Sequence, residues 1–131
     1  MSELWEYVLR IPHSSFGPGI VRAHVRAVLS RYRADPTVLD NAQLVASELV
    51  TNSLAASPAG PVGVRLVQDE GRLWLGVRDG SPCPPLRGAA GPDSESGRGL
   101  WLLQACADGW GHHVAGEGKE VWVEWRSRTV R

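Results

Sequence analysis

Glu48 and Asn52 stand four residues apart in Glu48-Leu49-Val50-Thr51-Asn52, inside an otherwise apolar run. On a helix they project from one side, one turn apart. A carboxylate so placed can serve as a general base, and the carboxamide oxygen beside it can ligate a hydrated divalent cation. Exposed Glu and Asn at this spacing also occur on ordinary helices, so the chemistry depends on groups supplied elsewhere in the chain.

Two later segments supply them. Val77-Arg78-Asp79-Gly80-Ser81-Pro82 reads as a strand ending in a carboxylate, and Ser96-Gly97-Arg98-Gly99-Leu100-Trp101-Leu102-Leu103 as a glycine-rich opening of a helix. A carboxylate at a strand end can accept a hydrogen bond from the exocyclic amine of a base, although Asp before Gly also simply terminates strands. Free N–H groups and the positive dipole end at Gly97 and Gly99 favour phosphate oxygens. Arg98 either adds charge to a phosphate or is an ordinary surface arginine.

This ordered set resembles the N, G1 and G2 boxes of the GHKL ATPase superfamily, and more narrowly the short bacterial anti-sigma-factor serine/threonine kinases, from Val21 to Trp125. The resemblance implies a Bergerat fold with ATP and Mg²⁺ as cofactors. It implies nucleotide contacts from Asn52, Asp79, Gly80, Gly97, Arg98, Gly99 and Leu100, with Asn52 also the metal ligand and Asp79 the reader of adenine. Glu48 would take the proton from a serine or threonine hydroxyl, or from water, as the phosphoryl group is transferred. The implied substrate is an anti-anti-sigma (STAS-type) protein, with a sigma factor as a second partner and a homodimer as the assembly.

The chain departs from the family pattern in three places. Ser53-Leu54-Ala55-Ala56 follows Asn52 where many relatives carry a basic residue and histidine, and Asp79-Gly80-Ser81-Pro82 lacks a second glycine. Glu120 follows Lys119 where relatives commonly carry threonine, which would put a negative charge near the phosphates. These departures keep a second reading open, a nucleotide-gated binding module of the same fold that controls partners without phosphorylating them. A detached histidine-kinase catalytic domain is disfavoured, because His24 is followed by Val25 and Arg26 instead of an acidic neighbour. Adjacent His112 and His113 would face opposite sides of a strand, a poor metal pair.

The elements that must position these residues follow from periodicity. Leu4 to Ile11 alternates loosely as a first strand, and Ile20 to Tyr32 repeats Val21, Val25, Val28 and Tyr32 as a helix with Arg22, Arg26 and Arg33 on a solvated face. Asp35-Pro36 is an N-cap followed by proline at the first helical position, and Val38, Ala42, Val45 and Leu49 form the buried stripe. Glu48 and Asn52 flank that stripe, at the rim of a cavity under the helix. Val62 to Gln68 and Arg72 to Asp79 alternate as a hairpin around Asp69-Glu70-Gly71. Leu100 to Ala107 reads as a third helix, with Cys106 in its core face. Trp110 to Ala115 and Lys119 to Trp125 read as a second hairpin around Gly116-Glu117-Gly118.

The expected fold class is therefore an α/β (α+β) two-layer sandwich, a mixed, mostly antiparallel sheet covered on one face by three helices, in a single domain over residues 1–131. Gly80 to Arg98 is poor in large apolar residues and long for a connection; the resemblance makes it an ATP lid. The 14 acidic and 14 basic residues balance without long blocks, which argues against direct nucleic-acid or membrane binding. Cys83 and Cys106 lack CxxC spacing and read as reduced thiols. An acidic start, Met-Ser-Glu-Leu-Trp-Glu-Tyr, and the lack of a long apolar stretch predict a soluble cytoplasmic protein.

Overall fold

Strand alternation and helical periodicity build seven named elements in the computed structural model, which describes residues 4–56, 60–80, 102–116 and 118–126. In chain order these are β1 (Trp5–Ile11), α1 (Gly17–Arg31), α2 (Pro36–Ala56), β2 (Val62–Asp69), β3 (Arg72–Asp79), β4 (Gly109–Ala115) and β5 (Gly118–Arg126). Residues 102–106 form a further helical stretch, α3, between β3 and β4. The sheet order is β1-β2-β3-β5-β4. All four pairings among the described residues are antiparallel, within the two-layer sandwich the sequence predicts.

One face of β2, β3 and β5 is apolar and packs under the helices, joined by Ile11 at the end of β1. Ile11, Val64, Leu66, Leu75, Val77, Val121, Val123 and Trp125 meet Val21, Val25, Val45, Leu49 and Val50 in one core. Burying that face drives the two layers together. The other face carries Trp74 and Trp122, whose rings lie 5.1 Å apart.

Local chemistry sets the element ends. Asp35 caps α2 through Oδ1, which accepts from Thr37 N at 2.7 Å and Val38 N at 3.4 Å. Helix α1 begins three residues earlier than Ile20, because Gly17 packs tightly there. A Cβ on Gly17 would lie 3.3 Å from Leu54 Cδ1 and 3.4 Å from Val50 Cγ1. Its other end closes with Arg33 at φ 56°, where Arg33 N donates to Ser30 O and Ala34 N to Leu29 O. This is the Schellman pattern, with arginine at a left-handed position that favours glycine. The β2–β3 turn is two residues, Glu70 and Gly71, both at positive φ, as a type I′ hairpin requires.

Arg26 and Arg33 are exposed as expected. Arg22 is exposed as well, and its Nη2 donates to Ser47 Oγ at 3.1 Å, clipping α1 to α2. No helix among the described residues is long and apolar enough to cross a membrane.

Candidate nucleotide site

Asp79 is the last residue of β3, on the face shared with Leu73, Leu75 and Val77, and its side chain is buried beneath the helical layer. Directly opposite on β5 is Lys119. Its Nζ donates to both Asp79 oxygens at 3.0 Å, and both side chains are almost fully buried. The β5 backbone lies hard against the end of β3 here. A Cβ on Gly118 would collide with the Asp79 carbonyl oxygen and crowd Gly80 Cα at 3.0 Å.

Glu120 is not near this carboxylate, contrary to the expectation of a negative charge beside the phosphates. Strand alternation turns it to the opposite face, over Gly76. There Arg65 Nη2 donates to both Glu120 oxygens at 3.2 Å, and His113 Nε2 lies 3.4 Å from Oε1. The residue that matters beside Asp79 is Lys119, which sequence reading passed over. The signal was present in strand parity, because Lys119 shares its face with Val121, Val123 and Trp125.

Glu48 and Asn52 are half-buried on α2, flanking the buried Val45 and Leu49. Asn52 Nδ2 is buried without an acceptor among the described residues, a costly state for an amide. A phosphate oxygen or a metal-bound water would satisfy it, and the carboxamide oxygen of the same group is a ligand suited to Mg²⁺. The residues present therefore fit the phosphate end of a nucleotide. Among the described residues no three His, Cys, Asp or Glu side chains converge to hold a metal. A cation at Asn52 would thus rely on phosphate oxygens and water for its remaining ligands.

The chain path puts Asn52 and Asp79 toward one end of the sandwich. Asn52 lies one turn before the end of α2, and β2 begins soon after, with Gly63 paired to Arg78 beside Asp79. Ile11, paired with Val62, and Gly17, against Val50 and Leu54, close the same end. Ala55 and Ala56 are exposed and offer no polar group there.

Helix α3 is tied at its C-terminal end. The Cys106 carbonyl accepts from Trp125 Nε1 at 2.7 Å and from Asn41 Nδ2 at 3.3 Å, linking α3 to β5 and α2. The Cys106 thiol is free, and partial burial raises its pKa. Gly97, Arg98, Gly99, Leu100, Trp101, Cys83 and most of the expected lid lie outside the described residues. His24 has Nε2 buried without a partner among the described residues, and burial lowers its pKa.

A five-stranded antiparallel sheet under helices, with a carboxylate ending a central strand and a carboxamide on the covering helix, defines an ATPase fold of the histidine-kinase type. The family described as the histidine kinase-like ATPase domain matches residues 19–125, and the chain belongs to it. Membership implies ATP as the ligand. The uncharacterised protein SCO4941 of Streptomyces coelicolor (strain ATCC BAA-471 / A3(2) / M145) is 46% identical over 67 residues. That match spans 49% of this chain and 64% of the relative. The crystal structure of the RsbU and RsbW domains of Rv1364c from Mycobacterium tuberculosis shares the fold, with a TM-score of 0.73 at 17% identity. It covers 97% of this chain and 35% of that one.

Proposed function

We propose that this chain is a Mg-ATP-dependent serine/threonine protein kinase that phosphorylates an anti-anti-sigma (STAS-type) protein in a partner-switching pathway, with a sigma factor as its other partner. One observation carries the reading: the buried Asn52 amide nitrogen, without an acceptor among the described residues and one turn beyond Glu48, in a histidine kinase-like ATPase domain. The structural likeness to Rv1364c, a protein with an RsbW domain, supports the choice of pathway.

In this reading Asn52 holds the cation and a phosphate oxygen, and Asp79 faces the base. Gly80, Gly97, Arg98, Gly99 and Leu100 line the phosphates and sugar. Glu48 receives the proton of the attacking hydroxyl, and Mg²⁺ held at Asn52 would supply electrostatic stabilisation of the transferred phosphoryl group. The test is phosphate transfer from labelled ATP to candidate STAS proteins. Wild type should transfer, and Glu48→Ala should lose about a hundredfold or more of the rate. Transfer unchanged in Glu48→Ala would remove Glu48 from the mechanism.

A second reading has a specific observation behind it. Lys119 already occupies both Asp79 oxygens, and exposed Ala55 and Ala56 bring nothing to the metal end. A binding module gated by nucleotide would bind Mg-ATP and its partner yet leave every STAS substrate unmodified.

A further inference from the structure

We propose that the outer face of the sheet is a self-complementary interface, which closes on the same face of a second copy of this chain about a two-fold axis. Tyr7, Leu66, Leu75, Val123 and Trp110 stand in one row across the five strands and mark the midline of the sheet. Their side chains pack toward the core, whereas the outer face beside them carries half-buried Val67, Trp74 and Trp122, with Val8 64% exposed. An apolar, tryptophan-bearing centre rimmed by charge is the anatomy of a protein interface.

The charges at the two ends of this face are opposite and unmet. Exposed Arg10 and Arg78 are the register neighbours of Gly63 on either side, and exposed Asp69 lies at the other end of the same strand, β2. None of the three charged side chains makes an ion pair or hydrogen bond among the described residues. Positions 63 and 69 are equally far from Leu66, so a two-fold axis along the midline exchanges them. Asp69 of each copy then faces Gly63 of the other, between Arg10 and Arg78. That place is open, since a Cβ on Gly63 would meet only Arg78 Cβ, at 3.9 Å.

The same operation exchanges 74 with 76 and 120 with 126. Trp74 of one copy therefore faces Gly76 of the other, beside a groove of about 290 Å³ walled by Val67, Trp74 and Trp122. Arg126 faces Glu120. Arg72 would meet Arg78, a like-charged contact softened because Arg72 Nε lies 3.4 Å from Glu124 Oε2. Each contact occurs twice, as an isologous pairing requires.

Sedimentation velocity of the full chain tests this, with circular dichroism melts to check folding. Wild type should be a dimer. Asp69→Arg, and the double variant Arg10→Asp with Arg78→Asp, should each weaken association by about a hundredfold or more, because like charges then meet across the axis. Mixing the two variants should restore a dimer of one of each, since the introduced arginine meets the introduced aspartates while the native Asp69 of one chain meets the native arginines of the other. A monomeric wild type overturns the proposal. So does a dimer that either variant leaves unchanged, or a mixture of two folded variants that stays monomeric. Should a charge variant fail to fold, Trp74→Ala decides by itself: association should weaken by about thirtyfold or more, and an unchanged dimer overturns the proposal.

Discussion

Glu120 lies over Gly76 on the outer face of the sheet, in the space a Cβ at position 76 would occupy, with Arg65 bonded to both its oxygens. Gly76→Ala should displace a flexible carboxylate and cost about 1 kcal/mol, as partial loss of the Arg65 bonds. Gly118→Ala meets backbone instead, at the Asp79 carbonyl, and should cost about 3 kcal/mol. Urea unfolding of the two variants checks the ranking. Equal losses would show that β5 can move away from β3 without penalty.

The two ends flanking the α1–α2 connection should respond in opposite directions. Asp35→Ala removes the acceptor for Thr37 N and should destabilise by about 1 kcal/mol. Arg33→Gly relieves a left-handed arginine and should stabilise by roughly 1 kcal/mol. Chemical denaturation midpoints at unchanged slope are the measurement.

Asn52→Leu should separate stability from function. It removes a buried amide nitrogen that has no acceptor among the described residues, so the melting temperature should rise by a few degrees, for about 1 kcal/mol. Mg-ATP affinity should fall by about a hundredfold, since removing one partner of charged hydrogen bonds costs roughly 3 kcal/mol. A variant that is more stable and binds ATP as before would dissociate Asn52 from the nucleotide.

His24 should make the fold acid-sensitive. Burial holds its folded pKa below the ordinary value, so below about pH 6.5 the unfolded chain binds a proton that the folded chain resists. Stability from this group is complete above that pH and falls as pH drops toward the folded pKa. Comparing unfolding midpoints of wild type and His24→Leu from about pH 7.5 to about pH 5 isolates the effect, because other titrating groups are common to both. The wild type should lose stability more steeply; parallel curves would contradict the sign.

Much of this architecture was legible because single residues carry it. Asp35-Pro36 marks the start of α2 as capping chemistry demands, and the alternation of Val62 to Gln68 and Arg72 to Asp79 places a hairpin with its apolar face inward. The start of α1 was obscured by Gly17-Pro18-Gly19, which reads locally as a chain break. At Gly17 a Cβ would fit only tightly against Ile11, Val50 and Leu54, a fact of tertiary packing. The candidate site was legible in the types and order of Glu48, Asn52 and Asp79. The Lys119–Asp79 ion pair needed a β5 register and a β3 partner, and the Asn52 amide nitrogen, without an acceptor among the described residues, needed its surroundings.

The sheet order places consecutive hairpins β2–β3 and β4–β5 side by side, so the β3–β5 contact is a seam between an early and a late part of the chain. Asp79 belongs to one part and Lys119 to the other. Neither hairpin alone contains the buried Asp79–Lys119 ion pair. A chain divided between Gly80 and residue 102 would therefore acquire that pair only when its two fragments reassociate along the seam, which makes burial of the ion pair a direct report of complementation between the halves.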